Sequence, residues 1–452
     1  MKPILRPLST LLMGGTYLIS IFFPFLYAEA FISFFALIAL LSFFPYLKTV
    51  PKVLILALTV GALAMDLSAQ GLHAFFIGLQ TNANVLAIFI FVPLLAIPIR
   101  QGNYLTYIEV IFSYYIKRTD GLYLFSTLTA GSIGGVMNIG SIPILYQLTD
   151  TPSFEPYTML RVKAMIRGFV LAFLWSPYFI SVGLVLAYFD VTWLQLFPVG
   201  IVLTFLIMGS GYLLERRSAK PIPRDAPLPD ALELHRAKQK VAELAGVIGL
   251  ITAIIMISEK VTGLSVLTVI PLVAIVMSFL WSLFFSTRQQ LIRNYRAFFD
   301  ARVPGMGNEL SLFIIAGAFG TALLNNGADE WIVTLLNALN ITNVLLLIPL
   351  MLALMVIPAL LGLHPVITAT ILAITLSDAP LFADDHFYLS LGLLSSWMAT
   401  TLVSPFSGLN LLLAALSRRS PFEISLKYNA GFAAMLWVMC YAAIVLLYLF
   451  SQ

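Results

Sequence analysis

Apolar runs long enough to cross, or nearly cross, a bilayer follow one another along almost the whole chain. They lie at about 8–24, 27–46, 51–66, 84–99, 166–188, 192–213, 242–258, 264–286, 308–324, 386–417 and 427–450. A helix rises 1.5 Å per residue and the hydrocarbon layer is about 30 Å thick, so about 20 residues span it. With 60% hydrophobic and only 10% charged residues, and a mean hydropathy of +0.97, no stretch is left over for a soluble domain. The expectation is an all-α polytopic membrane protein. Long continuous runs, in place of alternating ten-residue segments, exclude a β-barrel. Lys2, Arg6, the apolar run after them and Ala28-Glu29-Ala30 mimic a secretory signal. We read the segment as an uncleaved first span.

Two of these runs are interrupted at mid-depth. Within 396–416 the apolar sequence stops at Ser404-Pro405-Phe406-Ser407-Gly408, and an earlier run stops in the same way at Trp175-Ser176-Pro177-Tyr178. Proline removes a backbone donor and blocks the preceding turn, so each helix should break and leave free carbonyls and amides. Backbone of that kind is tolerated at membrane depth only where protein encloses it. Before each break lies a candidate hairpin. The first, 121–148, holds four glycines within 131–140 together with Ser132, Asn138, Gly140 and Ser141; the second, 344–376, holds Pro358, Gly362, His364, Pro365 and Thr368 in its middle.

The order span, short interfacial helix, hairpin, broken span thus occurs at 84–188 and again at 308–417. The short helices are 104–115 and 330–339. This predicts about eleven transmembrane helices plus two re-entrant hairpins in an inverted-topology repeat, the signature of a carrier with a midplane site. The units are an N-terminal three-helix region (1–83), a first repeat (84–213), a polar linker (214–241) and a second repeat (242–452). The linker, with Arg216, Arg217, Lys220, Arg224, Arg236, Lys238, Lys240 and Pro227 among its residues, is the only long polar segment. A basic amphipathic stretch follows at 288–302.

Charge fits this scheme. With the N-terminus cytoplasmic, every lysine and arginine except Lys260 falls on the cytoplasmic side, and Asp66, Asp190, Asp329, Glu330, Asp378, Asp384 and Asp385 fall outside. The C-terminus is then outside. The excess of four positive charges is therefore topology in a lipid bilayer, not a nucleic-acid surface. A single cysteine, Cys440, allows no internal disulfide.

The chemistry is mostly neutral. The carboxylates sit near span ends, in loops or on interfacial segments, and none is expected at mid-span. An anion would have to be held by helix N-termini and hydroxyls. Oxygens from Ser132, Asn138, Ser141, Ser176, Ser404 and Ser407, with carbonyls freed by Pro177 and Pro405, suit a hard cation such as sodium, for which Ser132, Asn138, Ser404 and Ser407 are the candidate ligands. Each break taken alone is also what a simple kink looks like, and the tip serines and asparagine also suit a role in satisfying nearby backbone. His364 reads either as a packing histidine or as a proton-sensitive gate. Trp175 and Trp397 read as packing between helices.

At these residues the chain resembles the ion transporter superfamily, most of all the large membrane subunit of TRAP-type dicarboxylate transporters. The likeness rests on Gly131-Ser132-Ile133-Gly134 through Asn138-Ile139-Gly140-Ser141-Ile142-Pro143, on His364-Pro365-Val366, and on Ser404-Pro405-Phe406-Ser407-Gly408-Leu409-Asn410-Leu411. It departs in having one proline at each break where the family has two, and Ile133-Gly134-Gly135 where small hydroxyl residues are usual. The resemblance implies an elevator-type carrier, with substrate and sodium at the hairpin tips and broken helices, Gly408 and Asn410 among them. It also implies a homodimer, or a small membrane subunit and a substrate-binding protein as partners, in the cytoplasmic (inner) membrane of a bacterium. The function expected is cation-coupled, sodium-dependent transport of a small organic anion, with no enzymatic activity; no HExxH or GxSxG motif is present. The alternatives are a sodium/proton antiporter of the same superfamily and a non-transporting assembly module.

Overall fold

The computed structural model describes residues 4–223 and 228–451, apart from the side chains of Ser68, Ala69 and Asp329. Lys2, Arg224 and Pro227, and the side chain of Asp329, on which part of the sequence reading rests, lie outside the described residues. Among the described residues the chain is helical, with one isolated bridge between Arg118 and Pro221.

Ten helical segments are long and apolar enough to cross a membrane by length and composition, against the eleven expected. Leu5–Phe22 is not among them, having Arg6 and Pro7 in its first turn. Neither is 158–188, which carries Arg161, Lys163 and Arg167 and is broken after Leu174. Thr119–Leu148, expected as a hairpin, passes the same test. Arg118, just before it, bridges Pro221, and Tyr157, nine residues after it, donates from Oη to the Pro221 carbonyl at 3.4 Å, so the chain on either side of the segment approaches the same residue.

The segment expected as the second hairpin, Val344–Leu360 and Pro365–Ser377, begins at the opposite end of the molecule. Asn343 Nδ2 donates to Tyr448 Oη at 3.3 Å, and the Tyr448 ring packs edge-on against Tyr388, 5.2 Å between centroids. Two long helices connect the ends. Trp193–Arg216 starts beside Asp190, whose N–H donates to His386 Nδ1 at 2.9 Å, and reaches Pro221 just beyond its last turn. Tyr428–Ser451 starts where Arg167 Nη2 donates to the Tyr428 carbonyl at 2.9 Å, and ends at Tyr448 and Ser451. Arg118 and Asn343, where the two expected hairpins begin, thus lie at opposite ends of the molecule.

Three local differences have physical causes. The polar linker is shorter than expected, because Asp230 caps a helix from Ala231 to Thr262, its Oδ1 accepting from Glu233 N–H at 2.7 Å. The run at 84–99 begins earlier, at Leu72–Gly78, and bends at 79–82 before Ala83–Phe91. Asn82 holds that bend, donating to the Phe313 carbonyl at 2.8 Å and accepting from Tyr188 Oη at 2.6 Å. The basic stretch 288–302 is a capped helix, Arg288–Ala297, continued by a wider π turn at Phe298–Arg302 and a 3₁₀ turn at Pro304–Met306 into Gly307–Asn325. It arrives beneath the first hairpin tip rather than lying apart from it. The first broken helix meets the long arm of that hairpin at Gly168, where any Cβ would strike the Thr127 carbonyl.

Candidate functional site

The second break follows from its proline. Ser404 is driven to extended backbone, φ −76° and ψ 115°, and ends the helix His386–Val403; Ser407, φ −62° and ψ 141°, opens the next, Gly408–Ser417. The last carbonyls of the first half have no helical partner. Asn410 gathers them: its Nδ2 lies 3.0, 3.2 and 2.8 Å from the carbonyl oxygens of Thr401, Leu402 and Ser404. An amide has two N–H groups, so three carbonyls share two protons. Ser407 Oγ donates to the Thr401 carbonyl at 3.0 Å and accepts from Asn410 N–H at 3.3 Å. Three carbonyls therefore converge on the Asn410 amide nitrogen, and Asn410 Oδ1 is left buried without a hydrogen-bond partner among the described residues.

The breaks are tied to the hairpins by matching bonds. Ser404 Oγ donates to the Ala359 carbonyl at 2.8 Å, and Ser176 Oγ donates to the Gly135 carbonyl at 2.6 Å. Ala359 stands three residues before Gly362 (φ 103°), and Gly135 three before Asn138 (φ 58°), the two left-handed tip residues. In both places a serine preceding a proline caps a hairpin arm one turn short of its tip. The equivalence stops there. Counting from the serine–proline step, Phe179 and Val182 occupy the places of Ser407 and Asn410, so only the second break gathers carbonyls on an amide. Ser181, in the first break's second half, keeps a buried hydroxyl with no partner among the described residues.

The two halves meet. Phe173 and Trp397, on the two broken helices, pack edge to face at 6.3 Å, and Trp175 lies against Gly135; both tryptophans pack between helices. A Cβ on Gly408 would stand 3.5 Å from Ile139 of the first tip and 4.0 Å from Glu309 Oε1. Two cavities flank this junction. One, of about 200 Å³, has Gly362, His364, Phe406, Gly408 and Glu309 in its wall. The other, of about 580 Å³, lies at the first tip, between Met137 and Gly140 on one side and Arg100, Gln101 and Arg302 on the other.

The expected site residues divide accordingly. Ser404, Pro405, Ser407 and Asn410 are buried together at the second break, and Ser176 and Pro177 are buried at the first. Asn138, half-buried, accepts its own following N–H, from Ile139, on Oδ1 at 2.9 Å, while buried Ser141 donates to the Asn138 carbonyl at 2.8 Å. His364 caps the second arm, Nδ1 accepting from Val366 N–H at 3.3 Å, with Pro365 as the first helical residue. Thr368 turns back to the Pro365 carbonyl at 3.0 Å and offers no free hydroxyl. Gly408 and Gly140 face the two cavities. Ser132 stands apart: it is exposed on the long arm and makes no hydrogen bond with the others. The four proposed sodium ligands therefore form no single set. Ser404 and Ser407 share one neighbourhood, Asn138 another, and Ser132 neither.

Four further residues were hidden from the sequence. Arg100, Gln101, Arg302 and Glu309 lie close to predicted span ends, where charge reads as topology. Only the path of 288–306 beneath the first tip brings them to the cavities. Glu309 lies at a span end, as expected of the carboxylates, and there borders the smaller cavity.

No family model matches the chain, and no curated protein matches it. The fold is shared with a solved structure, that of the YdaH transporter of Alcanivorax borkumensis, described as having an unusual topology. The match has a TM-score of 0.60 at 14% identity, over 89% of this chain and 99% of that one.

Proposed function

We propose that the protein is a secondary transporter that couples a cation, sodium, to movement of a small organic anion. The observation that carries this reading is the pair of serine-to-carbonyl bonds, Ser176 to Gly135 and Ser404 to Ala359, joining broken helices to the segments expected as hairpins, which begin at opposite ends of the molecule. Such an arrangement, read as an inverted repeat with re-entrant hairpins, belongs to carriers with a central site. The shared fold with a transporter supports it, as does the resemblance to TRAP-type large subunits. Elevator motion, a homodimer or partner subunits, and a bacterial inner-membrane setting with a cytoplasmic N-terminus belong to the same proposal.

The oxygens around Asn410 fit sodium. Asn410 Oδ1, the buried oxygen without a partner among the described residues, would be the ion's first ligand at the second break, and the Thr401, Leu402 and Ser404 carbonyls, engaged by Asn410 Nδ2, would each have a second lone pair to offer. Bound sodium would supply positive charge there, balanced by the anion. A second reading, coupling to protons, is favoured by Glu309, the carboxylate beside Gly408 and in the His364 cavity.

Thermal unfolding of the purified protein in sodium, against choline and potassium at equal ionic strength, tests the choice. Ligands that bind only the folded state raise its melting temperature. Sodium coupling requires a sodium-specific rise. A response to pH alone, lost in Glu309→Gln, transfers the coupling to protons.

A further inference from the structure

We propose that Arg100, Gln101 and Arg302 form a recognition site for the oxyanion group of the solute, a carboxylate, sulfonate or phosphate, in the cavity at the first hairpin tip. The inference rests on the transport reading, which makes this cavity the solute compartment. Its chemistry comes from three unpaired side chains.

Neither guanidinium makes a hydrogen bond or an ion pair among the described residues; the seven ion pairs found there use other groups. Each carries five N–H donors in a fixed fork that matches a two-oxygen anion. Arg100 is exposed, whereas Arg302 is half-buried, and leaving a half-buried guanidinium unpaired is costly. Arg302 cannot be relieved by deprotonation. Glu309 acts on it electrostatically but forms no ion pair with it, whereas Arg100 repels it.

Gln101 is the independent sign. Both its amide atoms, Nε2 and Oε1, are buried without a partner among the described residues, and its side chain belongs to the same cavity wall. Buried amides are nearly always satisfied, so one that is not marks a missing ligand group. Among the described residues no aspartate or glutamate lines this cavity; Asn294 adds a second amide, and Pro93, Ile97 and Phe298 are among its apolar walls. Its volume, about 580 Å³, suits a small molecule. Gly140 fixes the approach: any side chain there would collide with the Arg302 guanidinium. Two cations, two amides and an apolar wall describe a small organic molecule with one oxyanion and a neutral polar substituent.

The same oxyanion could come from a lipid headgroup, and the test separates the sources. The full chain is placed in nanodiscs of phosphatidylcholine alone, or with phosphatidylglycerol added. Melting is followed in sodium with succinate, benzoate, ethanesulfonate or inorganic phosphate, and with succinamide as the neutral control. At least one soluble oxyanion should raise the melting temperature in phosphatidylcholine, where succinamide does not. Its affinity should fall about tenfold or more in Arg302→Gln and in Arg100→Gln, and less in Arg302→Lys, which keeps charge but loses the fork. A rise unchanged in both glutamine variants, a rise seen only with phosphatidylglycerol, or no rise with any of the four anions overturns the assignment. The sodium-specific rise measured without anion in the same samples judges the transport reading separately. If Arg302→Gln fails to fold, Arg302→Lys and Arg100→Gln still decide the matter.

Discussion

Ser404 donates its hydroxyl to the carbonyl of Ala359 at 2.8 Å, holding the second hairpin one turn from its tip against the broken helix. Both atoms are in buried surroundings, so the bond has no ready replacement from water. Ser404→Ala and Ser176→Ala should each destabilise the protein by about 0.5–1.5 kcal/mol, because each removes a hydrogen bond to a buried carbonyl; the Ala359 carbonyl keeps the Gly362 N–H at 3.3 Å. Unfolding free energies in a defined detergent check this. Transport should fall further than stability, since both bonds position a tip.

Asn410 predicts an asymmetry between the halves. Asn410→Leu removes the amide from three carbonyls and should cost about 1–3 kcal/mol. It should also abolish the sodium-specific rise in melting temperature. Ser181→Ala, at the first break, should leave that rise intact. Equal loss in both variants would move the ion away from the second break.

Two glycines separate packing from recognition. Gly168→Ala places a methyl group on the Thr127 backbone, which cannot yield without moving the hairpin; a loss of about 1–3 kcal/mol is expected. Gly140→Ala meets only the flexible end of Arg302. Its melting temperature should stay near that of the parent protein, while its response to soluble oxyanions weakens.

Glu309 decides between coupling ions. On the sodium reading, Glu309→Gln keeps the sodium-specific rise, and uptake remains sodium-dependent. On the proton reading, the same variant loses the pH dependence of uptake. Measuring both in one variant separates the two readings.

The breaks were legible because proline and glycine act locally. Ser404-Pro405 forces its own backbone whatever surrounds it, and Ser407 and Asn410 follow within one turn. The matching step at Ser176 was visible for the same reason. Its different chemistry, Phe179 and Val182 where the other half has Ser407 and Asn410, emerged only when the two tips could be aligned by their bonds. Ser132 stands apart from the other candidates, and a hydroxyl in a glycine-rich helix gives no sign of which way it faces. Arg100, Gln101, Arg302 and Glu309 were missed for a different reason. Their role depends on a π turn at Phe298–Arg302 that brings a basic amphipathic segment under a tip far away in sequence, and no local pattern encodes that meeting. Charge at a span end has the same appearance whether it faces water or a cavity.

The most direct test is uptake of a labelled small carboxylate, chosen from the stabilising anions, into proteoliposomes with an imposed inward sodium gradient. Accumulation above equilibrium is predicted, collapsing when the gradient is abolished and severely reduced in Ser176→Ala and Ser404→Ala. Absence of accumulation under sodium and proton gradients alike, with protein that is folded and inserted, would contradict the transporter account.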